Sequence, residues 1–405
     1  MDNDALPPPI YERTVELLTG LTAISSPSSD LKGLHRMASR LGAELTERGL
    51  NVEIIEQPGE DGELLPVLLA RGPGFDATVE HHLLVGHLDT VLPAAVPRID
   101  GDRLVATGAI DMKGGLAAFV GALDLLRQRG IAPPPDLLLV AVPDEEVGGV
   151  LSRAAMKEWG ARARALWVLE PGERAGYGAE TLVAGRRGMF NWRLEARGRA
   201  AHSGLHYWQG RSALTAAAGW CCEVEAHSDH GSGPTVNVGR LVAGDTSFVD
   251  DLAGSAGLLR TDRQLNVVPD LAVAEGEVRF LRDEDGKRMA ASLAELARNI
   301  AADTETELTL TFRDTIPPVD PGGPHASQVD RAVALAAERG WRLEVERERG
   351  GISFPNFLPD PGRLPILDGL GPIGGGMHTR EEHVSLTSLA RRIVLLADLL
   401  EDERR

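Results

Sequence analysis

The stretch HLLVGHLDTVLP, residues 82–93, ends an apolar run with a histidine and an aspartate two residues apart. Successive side chains of a β-strand alternate between its two faces, so His87 and Asp89 leave the end of the strand in the same direction. Such a pair is most often only a hydrogen bond at a strand end, because short motifs have a high false-positive rate. Other acidic and histidine residues in comparable positions favour a ligand-binding site over an isolated hydrogen bond.

The remaining candidates stand at further predicted strand ends or just before a helix: Asp111, Glu145, Glu146, Glu170 and His378. Ligands of open α/β sheets bind beyond the carboxyl ends of the strands, so we expect these side chains to converge. Bare carboxylates would repel one another there unless a cation compensates for them. Two imidazoles with three or four carboxylates suit two ions of the zinc class. One carboxylate can then bridge both ions, another can activate water, and Asp89 can orient the ring of His87.

The pattern of predicted elements supports this convergence. From about residue 10 to 180, predicted helices alternate with continuous apolar strands, which is typical of an α/β domain with a mostly parallel sheet covered by helices. The predicted order then changes to βαββαβ, the order of a ferredoxin-like split βαβ unit. We therefore predict a discontinuous α/β domain, residues 1–183 and 314–405, interrupted by an inserted domain, residues 184–313.

Composition limits the possible partners and compartments. The chain has 405 residues with 42 basic and 60 acidic side chains, a formal net charge of −18, which disfavours nucleic acid and anionic membranes and favours a small-molecule substrate. The start, MDNDALPPPI, lacks the features of a signal peptide, and no apolar run approaches the ~20 residues that span a bilayer. The only cysteines, Cys221 and Cys222, are adjacent and cannot form a disulfide framework. We expect a cytoplasmic protein.

In its motifs the chain resembles the two-zinc peptidases and deacylases that include glutamate carboxypeptidase, acetylornithine deacetylase, succinyl-diaminopimelate desuccinylase and aminoacylase. The matching stretches span almost the whole chain in the order found in the family: GHLDTV, ATGAIDMKGGLAA, DEEVGG, LEPG, GRAAHSG, NVVPD, EVRF and GGGMHTREEHV. The LEPG stretch, with glutamate rather than aspartate, is most similar to the glutamate carboxypeptidase branch.

The resemblance implies a centre of two divalent ions in each chain, expected to be Zn²⁺, with Co²⁺ or Mn²⁺ as alternatives. Asp111 would bridge the two ions. His87 and Glu170 would complete one site, and Glu146 and His378 would complete the other.

The resemblance also assigns roles to residues around the metal centre. Glu145 would be the general base, and Asp89 would support His87. The inserted domain would act as a lid and dimerisation domain, and His202 of the AHSG stretch would act in the active site of the second subunit of a homodimer. Asn266 and Arg279 would hold the substrate, Arg279 by its carboxylate, a task for which a guanidinium is geometrically suited.

Two features depart from the family pattern. The family usually has an aspartate in a Gly-x-Ser-Asp loop, whereas this chain reads GGISFPNF with Phe354 in that place. This departure weakens any transfer of substrate specificity. The connection of residues 244–264 is also longer than usual, which predicts a change in the cleft or in the dimer contact.

Together these observations predict a zinc-dependent hydrolase that cleaves an amide bond next to a free carboxylate, in a dipeptide or an N-acyl amino acid. The alternative is a biosynthetic deacylase such as acetylornithine deacetylase or succinyl-diaminopimelate desuccinylase. A further alternative is a non-catalytic ligand-binding protein with the same fold, which the Phe354 departure allows and which the intact Glu145 and the full ligand set oppose.

Overall fold

The computed structural model describes residues 6–249, 266–322, 324 and 326–403. Residues 250–265, which hold most of the predicted long connection, lie outside this description. The chain divides into two compact units. The first is formed by Met1–Gly185, Asp320–Arg349 and Ser353–Arg405, and the second by Arg186–Val319 and Gly350–Ile352.

The helices of the described residues are α1 (Pro8–Ala23), α2 (Leu31–Glu47), α3 (Lys113–Gln128), α4 (Val150–Trp159), α5 (Ala213–Val224), α6 (Asp283–Thr304), α7 (Ala326–Glu338) and α8 (Leu386–Asp402). The strands are β1 (Asn51–Pro58), β2 (Leu64–Arg71), β3 (His81–His87), β4 (Arg98–Asp100), β5 (Arg103–Val105), β6 (Leu137–Val142), β7 (Ala163–Val168), β8 (Glu180–Val183), β9 (Gly188–Arg197), β10 (Thr235–Gly244), β11 (Leu271–Phe280), β12 (Glu307–Ile316), β13 (Leu343–Glu346), β14 (Ile366–Leu367), β15 (Gly374–Gly375) and β16 (His383–Ser385).

The central sheet of the first unit has the strand order β1-β2-β6-β3-β7-β14. The pairs β6–β3, β3–β7 and β7–β14 are parallel, and only the hairpin β1–β2 and its junction with β6 are antiparallel. This arrangement confirms the predicted α/β class with a mostly parallel sheet. The hairpin was absent from the sequence prediction.

The burial of the middle strands explains why they are apolar. β3 and β6 are buried at every position, as expected for strands that are covered on both faces. Helix α3 is buried from Lys113 to Leu126, and α1 and α8 pack against it. Because β6, β3 and β7 are parallel neighbours, their carboxyl ends lie side by side at one edge of the sheet.

Short polar side chains determine where two of these helices begin. The Asp30 carboxylate accepts a hydrogen bond from the backbone N–H of Gly33 at 2.9 Å, which caps α2. The Ser385 hydroxyl accepts one from the N–H of Ser388 at 3.2 Å, which caps α8. Each cap satisfies a backbone donor that the first turn of a helix leaves without an internal partner.

The second unit is built on a four-stranded antiparallel sheet with the order β10-β11-β9-β12. The helices and strands that lie wholly within its described residues follow the predicted βαββαβ order. Helices α5 and α6 pack on the sheet around a core in which the rings of Trp192 and Trp220 lie 4.9 Å apart. The role of this unit as a lid and dimerisation domain stays a prediction.

The described helices do not include a candidate membrane span, because none combines the required length with sufficient apolar character.

One buried ion pair in the first unit gives a stability prediction. Glu180 accepts hydrogen bonds from Arg392 at 3.1 Å and from the Ser388 hydroxyl at 2.9 Å, and the Glu180 and Arg392 side chains are only 5% and 1% exposed. Glu180→Ala should lower the free energy of unfolding by about 3–5 kcal/mol, because it leaves a buried guanidinium without its counter-charge.

The measurement is denaturant unfolding of the variant and of a control, Asp100→Ala. The Asp100–Arg103 pair is more than half exposed on both side chains, so its loss should cost less than about 1 kcal/mol. Equal losses for the two variants would contradict the assignment of Glu180 as a buried structural carboxylate.

Candidate metal centre

The first imidazole of the candidate centre belongs to His87, the last residue of β3, which is fully buried. Its Nδ1 atom lies 3.0 Å from the main-chain oxygen of Asp89 and 3.2 Å from the carboxylate of the same residue. Both atoms are hydrogen-bond acceptors, so Nδ1 bears the ring proton in the neutral imidazole. The lone pair of His87 is therefore on Nε2, the atom that lies on the side of Asp111.

Asp111 lies between the two candidate histidines. It precedes α3 by two residues, and the peptide bond that follows it is cis. One carboxylate oxygen lies 3.0 Å from Nε2 of His87, and the other lies 3.3 Å from Nε2 of His378. This is the geometry that a bridging carboxylate requires.

Two groups of possible metal ligands share Asp111. The first contains His87, Asp111 and Glu170, and the second contains Asp111, Glu146 and His378. Within each group the candidate ligand atoms lie within 4.8 Å of one another. The structure thus brings together the same two sets of residues that the resemblance implied.

Several acceptor atoms of the centre lie close enough together to need a proton or a cation between them. A neutral Nε2 of His87 and a carboxylate oxygen would face each other with lone pairs at 3.0 Å, which requires a proton or a cation between them. The same holds for Nε2 of His378, which lies 3.3 Å from Glu146 and from Asp111. Nitrogen and oxygen donors of this kind, with one shared carboxylate, fit two divalent ions of the zinc class.

In the metal-free protein, protons lie between these acceptor atoms, and the pKa values of the side chains are shifted accordingly. Burial lowers the pKa of His87, but hydrogen bonds with Asp111 and Asp89 outweigh burial and hold it well above its usual range. The hydrogen bond with Asp111 raises the pKa of His378 to about 9. Burial raises the pKa of both Glu145 and Glu146 to about 7.

Asp89 connects two parts of the centre. It is fully buried, and its carboxylate accepts hydrogen bonds from the backbone N–H groups of Glu145 at 3.3 Å and Glu146 at 3.1 Å. It also accepts one from the hydroxyl of Ser28 at 2.7 Å. Asp89 therefore orients both the ring of His87 and the backbone of the two glutamates.

Glu145 and Glu146 stand on a short 3₁₀ helix, Glu145–Val147, that follows β6. Although they are adjacent in sequence, the two side chains differ in their position relative to the ligand groups. Glu146 is a member of the second ligand group, whereas Glu145 belongs to neither group. A carboxylate beside the centre that is not needed as a ligand is available for proton transfer.

Ser353 is a site residue that the sequence interpretation missed. Its hydroxyl donates a hydrogen bond to the carboxylate of Glu170 at 3.3 Å, and its backbone N–H is bonded to the side chain of Asn356. The neighbouring Phe354 is fully buried. The position where the family usually has an aspartate is thus occupied by a core aromatic side chain, and the preceding serine supports a candidate ligand.

His202 and Asn266 lie together in the second unit. Both are exposed, and the Asn266 amide lies 3.4 Å from Nε2 of His202. The backbone N–H groups of Gly204 and Leu205 donate to Nδ1 of His202 at 3.1 and 3.2 Å. Because Nδ1 accepts these bonds, the neutral imidazole has its proton on Nε2, and this donor requires the Asn266 amide to present its oxygen rather than its NH₂ group.

Arg279 stands on β11 in the same unit, with its side chain 26% exposed. One guanidinium nitrogen donates to the carboxylate of Glu277 at 3.0 Å, and another donates to the main-chain oxygen of Gly350 at 3.1 Å. A substrate carboxylate would therefore meet a guanidinium that is already held by neighbours of its own unit.

Comparison with known proteins finds similarity to peptidases and to a desuccinylase over most of the chain. The model of peptidase family M20/M25/M40 matches residues 83–402. Carboxypeptidase G2 of Pseudomonas sp. (strain RS-16) is 26% identical over 396 residues, covering 96% of this chain and 88% of that protein. The succinyl-diaminopimelate desuccinylase of Cereibacter sphaeroides is 29% identical over 306 residues, 73% of each chain. The crystal structure of aminopeptidase PepT from Bacillus cereus has the same fold, with a TM-score of 0.76 at 23% identity over 98% of this chain and 99% of that one.

The pKa values predict how metal binding depends on pH. Protein purified without chelator should hold close to two equivalents of a divalent ion, and ion binding should displace the protons of His378 and Glu146. Because the pKa of His378 is raised to about 9, affinity should increase with pH up to that value. Each displaced proton should change the affinity by about tenfold per pH unit.

Metal analysis gives the stoichiometry, and chelator competition at about pH 6 and about pH 8 gives the affinity. Calorimetry in two buffers of different ionisation enthalpy counts the protons released. A protein that binds no Zn²⁺, Co²⁺ or Mn²⁺ from an excess, or whose affinity is independent of pH, would be inconsistent with the centre described.

Proposed function

The chain belongs to peptidase family M20/M25/M40, and from this premise we propose that it hydrolyses an amide bond next to a free carboxylate, in a dipeptide or an N-acyl amino acid. Family membership makes the chain a metallohydrolase. The bond, the substrate class and the roles of individual residues are the proposal.

One observation carries the proposal more than any other. The two candidate ligand groups share Asp111, and a third glutamate, Glu145, lies beside them without being part of either. Because neither ligand group needs its carboxylate, Glu145 is available to accept a proton and then return it.

In this proposal His87, Asp111 and Glu170 hold one divalent ion, and Asp111, Glu146 and His378 hold the other. Zinc is the ion that these nitrogen and oxygen donors suit best, with cobalt and manganese as alternatives. When bound, such ions make a water molecule more acidic and polarise the carbonyl group of the bond to be cleaved.

Glu145 performs the proton transfers. Its carboxylate accepts a proton from the water molecule as the water oxygen attacks the carbonyl carbon. The same carboxyl group then donates that proton to the nitrogen of the leaving amine, so the C–N bond breaks and a carboxylic acid and an amine are released. Asp89 holds the backbone of Glu145 in place during both steps.

His202 stabilises the negative charge that develops on the carbonyl oxygen. The supporting observation is its tautomer, because two backbone N–H groups at Nδ1 leave Nε2–H as an exposed donor. By the resemblance, this donor acts in the active site of the partner subunit of a homodimer. A single donor to such an oxyanion is typically worth ~10²–10³-fold in kcat.

Arg279 and Asn266 bind the substrate, Arg279 through the free carboxylate. The guanidinium is held at one side by Glu277 and at another by the main chain, so it is oriented before the substrate arrives. Preorganisation of this kind reduces the entropy cost of forming a charge-assisted contact.

A second candidate function is a biosynthetic deacylase. The observation that favours it is the similarity to a succinyl-diaminopimelate desuccinylase, which is 29% identical to this chain over the aligned part. A panel of dipeptides, N-acetyl amino acids and N-succinyl amino acids, each with an amidated counterpart, separates the two candidates. Cleavage of only the N-succinyl compounds would favour the deacylase, and equal cleavage of amidated compounds would contradict carboxylate recognition.

Glu145→Gln tests the assignment of the general base. Turnover should fall by ~10²–10⁴-fold or more, because glutamine cannot accept the proton of water, while both metal ions stay bound. Glu146→Gln should instead weaken metal binding. Steady-state kinetics together with metal analysis distinguishes these effects.

The matched control is Glu381→Gln, since that side chain is 81% exposed and forms only a surface ion pair with Arg98. It should keep both metal content and turnover. Near-normal turnover in the Glu145→Gln variant would overturn the assignment, whatever the control shows.

The hypothesis that each active site is shared between two subunits is tested by mixing two inactive variants, Glu145→Gln and His202→Ala. If His202 acts in the partner's active site, each mixed dimer has one site with both residues intact. Random exchange of equal amounts should then restore about a quarter of the wild-type specific activity. No recovery after subunit exchange has been demonstrated by mass spectrometry, or a fully active monomer, would rule out the hypothesis.

A further inference from the structure

Glu382 is a buried carboxylate to which the proposed mechanism assigns neither metal binding nor proton transfer. It follows His378 by four residues, immediately precedes β16, and is only 3% exposed. Its side chain accepts three backbone hydrogen bonds. The N–H of Gly108 donates to one carboxylate oxygen at 2.8 Å, and the N–H groups of Ile110 and Asp111 donate to the other at 3.1 Å.

These three donors all belong to the loop between β5 and α3 that ends at Asp111. The loop is closely packed. At Gly108, which has a φ of +75°, an added Cβ would lie 2.7 Å from the Thr90 side chain and 3.2 Å from that of Lys113. The N–H of Ala106 also donates to the main-chain oxygen of Glu382 at 3.0 Å. Glu382 is therefore bonded at both ends of a loop that has little room to move.

We propose that Glu382 is a positioning residue for the metal centre, which fixes the place of the bridging Asp111 relative to His378. The inference rests on the proposed function in one respect, because it takes Asp111 as the ligand shared by both ions.

The chain geometry explains why one residue can do this. The segment from Gly376 to Glu382, which contains His378, is short and internally bonded, since the N–H of Thr379 donates to the main-chain oxygen of Gly376 and the N–H of Glu382 donates to that of Thr379. Fixing Glu382 on the loop of Asp111 therefore also limits the position of His378. The contact of 3.3 Å between His378 and Asp111 is the result.

The chemistry of the three donors explains why this residue is a glutamate. Only an ionised carboxylate offers acceptors in both directions without adding a donor of its own. In Glu382→Gln one oxygen becomes an NH₂ group, which would face at least one backbone N–H. The loop would then have to move away from it, and Asp111 would move with the loop.

The experiment compares Glu382→Gln with Asp102→Asn in cobalt-loaded protein. Asp102 also accepts three hydrogen bonds from the segment that follows Glu382, from the Ser385 hydroxyl and from the N–H and hydroxyl of Thr387 at 2.6–2.8 Å, but it is exposed and none of these bonds involves the loop of Asp111. Glu382→Gln should weaken Co²⁺ affinity by ~10–100-fold and change the visible absorption bands of the bound ion. Asp102→Asn should change the affinity by less than about threefold.

Kinetics provide an independent readout. Glu382 contacts no proposed substrate-binding residue, so Glu382→Gln should lower kcat while KM changes by less than about twofold. Wild-type affinity and an unchanged cobalt spectrum in the variant would overturn the inference, as would an equal loss in Asp102→Asn. If the wild-type protein binds two ions but cleaves no compound of the panel, the proposed function fails, whereas the metal affinities still decide the role of Glu382.

Hydrogen exchange of the wild-type protein covers the case in which Glu382→Gln does not fold. The amides of Gly108, Ile110 and Asp111 should exchange much more slowly than the intrinsic rate for an open loop, since each is bonded to a buried carboxylate. Exchange of all three at the intrinsic rate would overturn the inference.

Discussion

The electrostatic repulsion among carboxylates at one edge of the central sheet is the constraint on which the rest of the site depends. Five acidic side chains meet there: Asp89, Asp111, Glu145, Glu146 and Glu170. Protein atoms compensate for only part of this charge. Asp89 accepts backbone N–H groups and a hydroxyl, and Asp111 lies between two imidazoles. Burial, together with the charges of the neighbouring carboxylates, raises the pKa of Glu145 and Glu146, and two divalent ions are the counter-charge that this arrangement fits.

The topology of the sheet is what makes such crowding possible. Residues from three neighbouring parallel strands can meet only if those strands end at the same edge, which the order β6-β3-β7 provides. The strands are buried on both faces, so their ends are held by a packed core rather than by flexible loops. The two loops that contribute Asp111 and His378 are then fixed to each other by hydrogen bonds to Glu382. The packed core therefore holds together carboxylates whose mutual repulsion would separate them in an open loop.

Much of the fold and of the candidate site followed from periodicity and from the positions of acidic residues. Continuous apolar runs identified β3 and β6, and residues at strand ends identified His87 and Glu170, because both signals are local in sequence. The hairpin of β1 and β2 was missed, although β2 is a buried apolar strand, and only β1 is a largely polar strand at the edge of the sheet. Ser353 was missed because its contact with Glu170 joins positions 183 residues apart. No local pattern encodes such a contact, and it becomes visible only when the chain is folded.

The residues to which the proposed function assigns roles have opposite chemistry in the two units. The side chains at the metal centre are almost all acceptors, so a substrate carboxylate or a developing oxyanion would find no protein donor among them. In the proposed function these donors belong to the second unit, where Nε2–H of His202 and the guanidinium of Arg279 suit anionic oxygens. In a chain with a net charge of −18, an anionic substrate is attracted only where such local donors outweigh the overall field.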